Sequence, residues 1–432
     1  MAAGLYKLIL WLVYPAVWVR LYWRARREPA YGRRVAERFG RVPPQVPRGC
    51  LWFHTVSAGE TIAAAPLIAE LTERFAPAPV LVTTMTPTGS EQVLAKLGDT
   101  VAHCYAPYDF PHAVKRFYAR VQPRILVLME TELWPNLVAE ARRRGIPVVL
   151  INARLSARSA RGYARVAGLS RAMLRQLGAI ACQSEAHAQR FVALGAAPET
   201  TQALGSIKYD VQMPPGFAEQ VATLRTALGL QGQTVWIAAS THPGEDAVVL
   251  EAFTQVRAQH PQVRLVLVPR HPVRAPEVCA RVTACGYTVL RQSAAQAADH
   301  STDHATLVDV VVGDVMGSLL QLYGLADIAF VGGSLVPVGG HNPLEPALCG
   351  VPIIVGPHQF NFTEIMQDLQ GRGAMQIVAT ADALAQAVNG WLTDPGQRQR
   401  AAAAAAAAVL DNRGATERVS ALLSGWIRQV LL

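Results

Sequence analysis

The sequence predicts an α/β protein of two doubly wound domains behind an N-terminal membrane-anchor helix. Three observations carry that prediction. A chain of 432 residues exceeds what one compact core organises and suits two domains of ordinary size. Short β-branched runs alternate with helical stretches along its length, the pattern of parallel sheets covered by helices on both faces. Met213-Pro-Pro-Gly216 interrupts the alternation near mid-chain as a natural hinge. With 51% hydrophobic and 16% charged residues, and glycine and proline spread throughout, disordered and fibrous classes are excluded.

The first element is set apart by charge. The formal net charge is +9, but residues 1–50 hold ten Lys/Arg against Glu28 and Glu37, which leaves only +1 for the other 382 residues. A nearly neutral body argues against a nucleic-acid partner, and a basic end beside an apolar run argues for a membrane. Leu8–Val19 is uncharged, yet twelve helical residues rise only about 18 Å against a hydrocarbon core of about 30 Å. Extending the run to Ala2–Trp23 supplies the length and admits Lys7 and Arg20 at its ends, where basic side chains snorkel. Spanning and in-plane attachment both stay open at this level. The arginines follow the apolar run and no small-residue cleavage site comes next, the reverse of a signal peptide, so the body is expected on the cytoplasmic side.

A Pro-rich linker, Val42-Pro-Pro-Gln-Val-Pro47, leads into the first series of strands: 50–53, 80–84, 101–105, 125–129, 148–151 and 180–182. The second series is 235–239, 263–268, 288–290, 308–312, 328–331, 353–355 and 376–378. The expected domains are therefore an anchor and basic collar (1–41), a first α/β domain (48–212) and a second (217–432) that includes the terminal helices. Two such domains present the carboxyl ends of their sheets to a cleft, where these folds bind ligands. The six cysteines form no Cys-x-x-Cys pair and the eleven histidines no His-Glu-x-x-His motif, so neither a disulfide framework nor a metal site is expected.

Chemistry-bearing residues fall at strand ends. His54-Thr-Val-Ser-Ala-Gly-Glu60 enters a helix, and Glu60 has two readings. Ser57 and Glu60 form a Ser-x-x-Glu capping box; alternatively the helix dipole keeps the carboxylate ionised and available as a base. Met129-Glu130-Thr-Glu132 places two acids at a strand end, costly unless solvated, paired or used. Lys208 is either a solvated lysine or a cationic partner for a carboxylate or phosphate. In the second series, Pro269-Arg270-His271-Pro272 projects a guanidinium suited to a phosphate fork. Gly313-Asp-Val-Met316-Gly317-Ser318 is a short turn with free amides. Gly332 to Pro346 carries four glycines and ends in Asn342-Pro343-Leu344-Glu345, a normal helix start whose glycine density exceeds what a cap needs.

These blocks, together with Ile151-Asn-Ala-Arg-Leu-Ser156 and Ser206 to Asp210, occur in an order that resembles the Kdo transferases over essentially the whole chain. Those enzymes move 3-deoxy-D-manno-oct-2-ulosonic acid (Kdo) from CMP-Kdo to a lipid A precursor, lipid IVA, in lipopolysaccharide core synthesis. The resemblance implies a GT-B architecture of two Rossmann-like domains, inversion, no metal or cofactor, and attachment to the cytoplasmic side of a bacterial inner membrane. It implies Glu60 as catalytic base with Glu130 and Lys208 in support, the acceptor on the N-terminal domain, and CMP-Kdo on Pro269, Arg270, Met316, Gly317, Ser318, Asn342, Pro343, Leu344 and Glu345. Ser318 departs from the glutamate expected after Met-Gly, which leaves a backbone contact but puts a side-chain contact in doubt. The rivals are a UDP-sugar transferase or epimerase on the same fold, and a non-catalytic lipid-binding protein.

Overall fold

The structure, a computed structural model, describes residues 2–297 and 308–432. It divides into two compact units: residues up to Asp210 together with Arg413–Leu432, and Val211–Asn412. Unit 1 is built on β1 (Leu51–His54), β2 (Val80–Thr84), β3 (Ala102–Tyr105), β4 (Ile125–Met129), β5 (Val148–Ala153), β6 (Ala179–Cys182) and β7 (Thr201–Ala203). All pair in parallel in the order β3-β2-β1-β4-β5-β6-β7. Leu51 stands in register with both Val80 and Ile125, and β1, β2, β4, β5 and β6 are buried throughout, as strands covered on both faces must be.

Unit 2 repeats the scheme with β8 (Val235–Thr241), β9 (Arg264–Pro269), β10 (Val289–Arg291), β11 (Val310–Val312), β12 (Ile328–Val331), β13 (Ile353–Val355) and β14 (Met375–Ile377), ordered β10-β11-β9-β8-β12-β13-β14. In each sheet the chain first fills one side of its first strand and then returns to its other side, although in unit 2 β11 inserts between β9 and the edge strand β10. The switch points lie between β1 and β4 and between β8 and β12, where diverging loops leave room for a ligand. All thirteen expected strands form. The fourteenth, β7, is a short and largely exposed Thr-Gln-Ala edge with no apolar signature to announce it.

Two expectations about the ends are corrected. The N-terminal segment is one helix, Ala2–Arg27, about 39 Å long, and it is not separate from the first domain. Trp18 stacks on Phe39 at 4.5 Å, Tyr14 meets Phe110 edge-on at 4.8 Å, Leu21 is buried, and the Tyr6 hydroxyl donates to Asp109 Oδ2 at 2.9 Å. Its remaining surface, including Leu5, Leu8, Trp11, Leu12, Val19 and Trp23, is exposed. Part of the basic collar is structural as well. Arg38 is 1% exposed, donates to Met85 O at 2.8 Å and lies 4.0 Å over the Tyr105 ring, while Glu37 Oε2 accepts from Tyr105 N. A guanidinium spent in this way cannot also meet a membrane.

The second correction concerns the last helix, Ala415–Leu431, which belongs to unit 1 and not to the second domain. Ala415, Val419, Leu423 and Ile427 recur every four residues and are fully buried against the sheet of unit 1. Asp210, the last residue of that unit's first segment, accepts from Gly414 N and Thr416 N and so caps the helix. Periodicity announces an apolar face but not which sheet will cover it. Leu423→Ala should therefore destabilise the protein by about 2–5 kcal/mol in denaturant unfolding. Leu410→Ala, at a position 58% exposed in the preceding helix Pro395–Asp411, should stay within about 0.5 kcal/mol of wild type.

Candidate active site

At the β1/β4 switch point Glu60 is 8% exposed in the first turn of the helix Ala58–Arg74. Half of the anticipated capping box is present: the Ser57 side chain caps the helix, but the Glu60 carboxylate accepts from the amide of Val56 and not from that of Ser57. Ser57 Oγ accepts from Glu60 N at 3.4 Å and donates to Glu60 Oε1 at 2.8 Å, while Glu60 Oε2 accepts from Val56 N at 3.0 Å. The electrostatics differ from the expectation that the helix dipole keeps this carboxylate ionised. Burial, and then the charges of Glu130 and Glu132, push it up to about 7 against the opposing pull of the Val56 and Ser57 bonds. Near neutral pH it therefore exists in both protonation states.

Glu130 follows β4 with φ 57°, a left-handed conformation uncommon for a non-glycine residue. Its buried carboxylate is held by two cations, with Lys208 Nζ 2.6 Å from Oε1 and Arg154 Nε 2.8 Å from Oε2. Lys208 is thus not a solvated lysine: its side chain is 19% exposed and its partner is a carboxylate of the same unit. Asn152, also left-handed at φ 49°, accepts from Ile207 N through Oδ1 at 3.2 Å and ties the end of β5 to the Lys208 turn. Glu132 Oε2 accepts from Trp134 Nε1 at 2.8 Å, and burial raises its pKa. His54, by contrast, is a core residue. Its Nδ1 lies 2.9 Å from Thr83 Oγ1, and burial lowers it to about 4, so the ring is neutral.

The β8/β12 switch point of unit 2 is organised by a residue that the spacing of motifs did not reveal. Glu245 is fully buried, and its carboxylate accepts from four backbone amides: His242 N (2.9 Å), Gly333 N (2.7 Å), Ser334 N (3.0 Å) and Leu335 N (2.8 Å). The glycine-rich loop is shaped around this anion. A Cβ on Gly332 would stand 2.7 Å from Ser240 O and 2.9 Å from Glu245 Oε2, so the excess of glycine has a packing cause at that position.

Around this core lie the residues expected to bind a nucleotide sugar. Pro269 ends β9; Arg270 is exposed, with its amide donating to Thr241 O at 2.9 Å. His242 Nε2 and His341 Nε2 are 2.9 Å apart with nearly parallel rings, so one nitrogen donates and the other accepts. Burial and then the charge of Arg270 lower His341 to about 4. β11 pairs with β9, so the turn after β11 leaves the sheet beside Pro269, with Met316 and Gly317 exposed. Ser318 is buried and points inward, donating to Val315 O at 2.8 Å with Gln292 at 3.0 Å. Asn342 Oδ1 accepts from Leu344 N, and its Nδ2 donates to Glu345 Oε1 at 3.2 Å; the helix, Leu344–Leu348, starts one residue later than the sequence indicated, with Pro343 and not Asn342 at its N-cap. Among the described residues no group of three His, Cys, Asp or Glu could hold a metal ion.

Residues 33–211 match the family described as 3-Deoxy-D-manno-octulosonic-acid transferase (kdotransferase), and residues 247–408 match glycosyl transferases group 1. The 3-deoxy-D-manno-octulosonic acid transferase of Haemophilus influenzae is 40% identical over 409 residues, covering 93% of each chain. That of Bordetella pertussis is 36% identical over 99% of this chain and 100% of its own. The chain belongs to the 3-deoxy-D-manno-octulosonic acid transferase family. It is a glycosyltransferase of GT-B fold. The UDP-GlcNAc 2-epimerase of Neisseria meningitidis shares that fold with a TM-score of 0.57 over 88% of this chain and 99% of its own, at 12% identity.

Within this family member the two units bring together different fractions of the expected site. In unit 1 Glu60, Glu130 and Lys208 converge, joined by Arg154, Asn152 and Glu132. In unit 2 Arg270 lies within electrostatic reach of His341, the neighbour of Asn342, and Glu245 holds the loop through Gly333, Ser334 and Leu335. Left-handed φ values at Glu130, Asn152 and Ser240 mark the same strand ends, a signal that only coordinates supply. Removing the Glu245 carboxylate strands four amides, so Glu245→Ala should cost at least about 3 kcal/mol in chemical denaturation. Glu245→Gln should recover only part of it, because the amide nitrogen would face donors.

Proposed function

We propose that the chain transfers Kdo from CMP-Kdo to lipid IVA, a lipid A precursor, in lipopolysaccharide core synthesis, with inversion, without metal, and with Glu60 as general base. The observation that carries this reading is a buried carboxylate lifted to about 7 beside a second carboxylate paired with Lys208 and Arg154, in a chain of the Kdo transferase family. Glu60 takes the proton of the acceptor hydroxyl as its oxygen attacks the anomeric carbon of Kdo. The bond from that carbon to the phosphate oxygen breaks, and its electron pair leaves on CMP. One displacement inverts the centre. A base near neutrality is matched to this step, since a carboxylate of ordinary pKa would be a weaker proton acceptor.

Ser57 is the counterpart of that step. Its hydroxyl occupies Glu60 Oε1, and a carboxylate oxygen has a second lone pair for the acceptor hydroxyl. Kdo carries a carboxylate and CMP a phosphate, so fixed cations and amide donors stabilise the charge that develops. Lys208, oriented by Glu130, supplies one. Arg270 supplies another on the donor side, with Pro269, Met316, Gly317 and Asn342 to Glu345 forming the rest of the CMP-Kdo site. Ser318 contributes through its backbone, its side chain being engaged with Val315 and Gln292. The N-terminal helix, long and apolar enough to cross a membrane, attaches the protein to the cytoplasmic face of the inner membrane, where the acceptor resides.

Purified protein offered CMP-Kdo or UDP-sugars with lipid IVA should yield product only with CMP-Kdo, identified by mass; turnover with UDP-sugars alone overturns the reading. Glu60→Gln should abolish transfer and leave CMP binding and unfolding intact. In wild type kcat/KM should rise with pH to an inflection near 7, falling about tenfold per unit below it as Glu60 is protonated. Glu132→Gln removes one of the neighbouring charges that raise Glu60, so the inflection should move to lower pH. An unmoved inflection would assign the titration to another group.

A further inference from the structure

Between Glu140 and Glu185 the chain carries nine arginines and no other charged residue. Arg143 and Arg144 are neutralised by Glu140, and Arg154 by Glu130. Arg158, Arg161 and Arg165 are not: all three are exposed in the helix Ala157–Arg165, and among the described residues none of their side chains has a hydrogen bond or an ion pair. At about 100° per residue they fall within an arc of about 60°, one stripe along the helix. The opposite side, Ala160 and Tyr163, packs on the core of unit 1, and no residue of this helix is fully buried. Like charges at i,i+3 and i,i+4 weaken a helix, so the arrangement is disfavoured until an anion lies against it.

Its position indicates which anion. Arg154, one turn before Arg158, is bound to Glu130, and Tyr163 lies within electrostatic reach of Glu132 on one side and Tyr6 on the other. The next helix, Ala167–Leu174, touches the N-terminal helix, whose outer surface is apolar and exposed. The stripe therefore runs from the carboxylates of unit 1 toward the element that meets lipid. A molecule with its tails in a bilayer and its reacting hydroxyl at Glu60 would lay its head along it.

We propose that Arg158, Arg161 and Arg165 bind the phosphate groups of the lipid acceptor's head, holding it between the N-terminal helix and the carboxylates. This rests on the reading of the chain as a transferase to a phosphorylated lipid. Guanidinium groups present paired donors that match phosphate oxygens, and a stripe of three tolerates a head that shifts along it.

The test uses the full chain in neutral detergent micelles and the variant R158Q/R161Q/R165Q. The acceptor KM should rise about tenfold, three exposed charge contacts being lost, while kcat and the KM for CMP-Kdo stay within about twofold. R158K/R161K/R165K should recover part of the loss, having the charge without the fork. On an acceptor stripped of its phosphates, wild type and variant should have the same KM. An unchanged KM for the phosphorylated acceptor overturns the proposal, as does a loss that persists on the dephosphorylated one. A difference that appears only after anionic phospholipid is added overturns it too, since it assigns the stripe to bulk headgroups. Acceptor binding to the same two proteins without donor separates this proposal from the transfer reading: a wild type that binds but does not transfer sinks only the latter.

Discussion

Burying a carboxylate at the end of β4 is costly unless cations accompany it, and Glu130 has two of them. Much of unit 1's chemistry depends on that arrangement. The pair of cations fixes the Glu130 carboxylate in place, and after burial itself the charge of Glu130 is the next cause that pushes Glu60 up to about 7. Glu130 also fixes where Lys208 and Arg154 point, so two cations that would otherwise sweep through solvent become oriented donors. The left-handed backbone at Glu130 and Asn152 is tolerated because these contacts over-determine it. An acid that looks like a catalytic partner acts first as the organiser of the groups around it.

Unit 2 solves a related problem with the opposite polarity. Its glycine-rich loop would leave several amides without partners, and Glu245 collects four of them on one carboxylate. The loop can then be irregular yet stiff, and it presents His341 and Asn342 at a fixed place beside Arg270. In both units the organising acid lies at the point where strand order reverses, because only there do adjacent loops turn away from each other and leave polar backbone to be satisfied.

The alternation of β-branched runs and helices was enough to read thirteen of the strands, since strands buried on both faces must be apolar throughout. β7 escaped because an exposed edge strand needs no such residues. The helix Ala415–Leu431 was legible as a helix and misassigned to a domain, because its four buried residues encode a face and not a destination. The Ser-x-x-Glu spacing holds both readings of Glu60; the structure forms the Ser57 half of the box and turns the carboxylate to Val56 N and the Ser57 hydroxyl, among neighbours that tune it. The resemblance named Lys208 and Glu130, but that they bind each other follows from β4 lying between β1 and β5 with the Lys208 turn tied to Asn152. Glu245 and Arg154 do their work through contacts with distant segments, and neither stands in a spacing that announces it.

Charge shows how far a sum can mislead. A net of +1 outside the first fifty residues reads as neutrality, yet it is the balance of segregated parts. Arg38 of the basic end is sequestered under Tyr105 and serves the fold, whereas the acid-free stretch after Glu140 places three unpaired arginines on one exposed stripe. Exposed charges are screened beyond about 8–10 Å at physiological salt, so what a ligand meets is local density and not the total. Unit 1 thus carries two basic regions of different kind, one that follows the apolar N-terminal helix and is partly spent on the fold, and one that follows Arg154, the partner of Glu130.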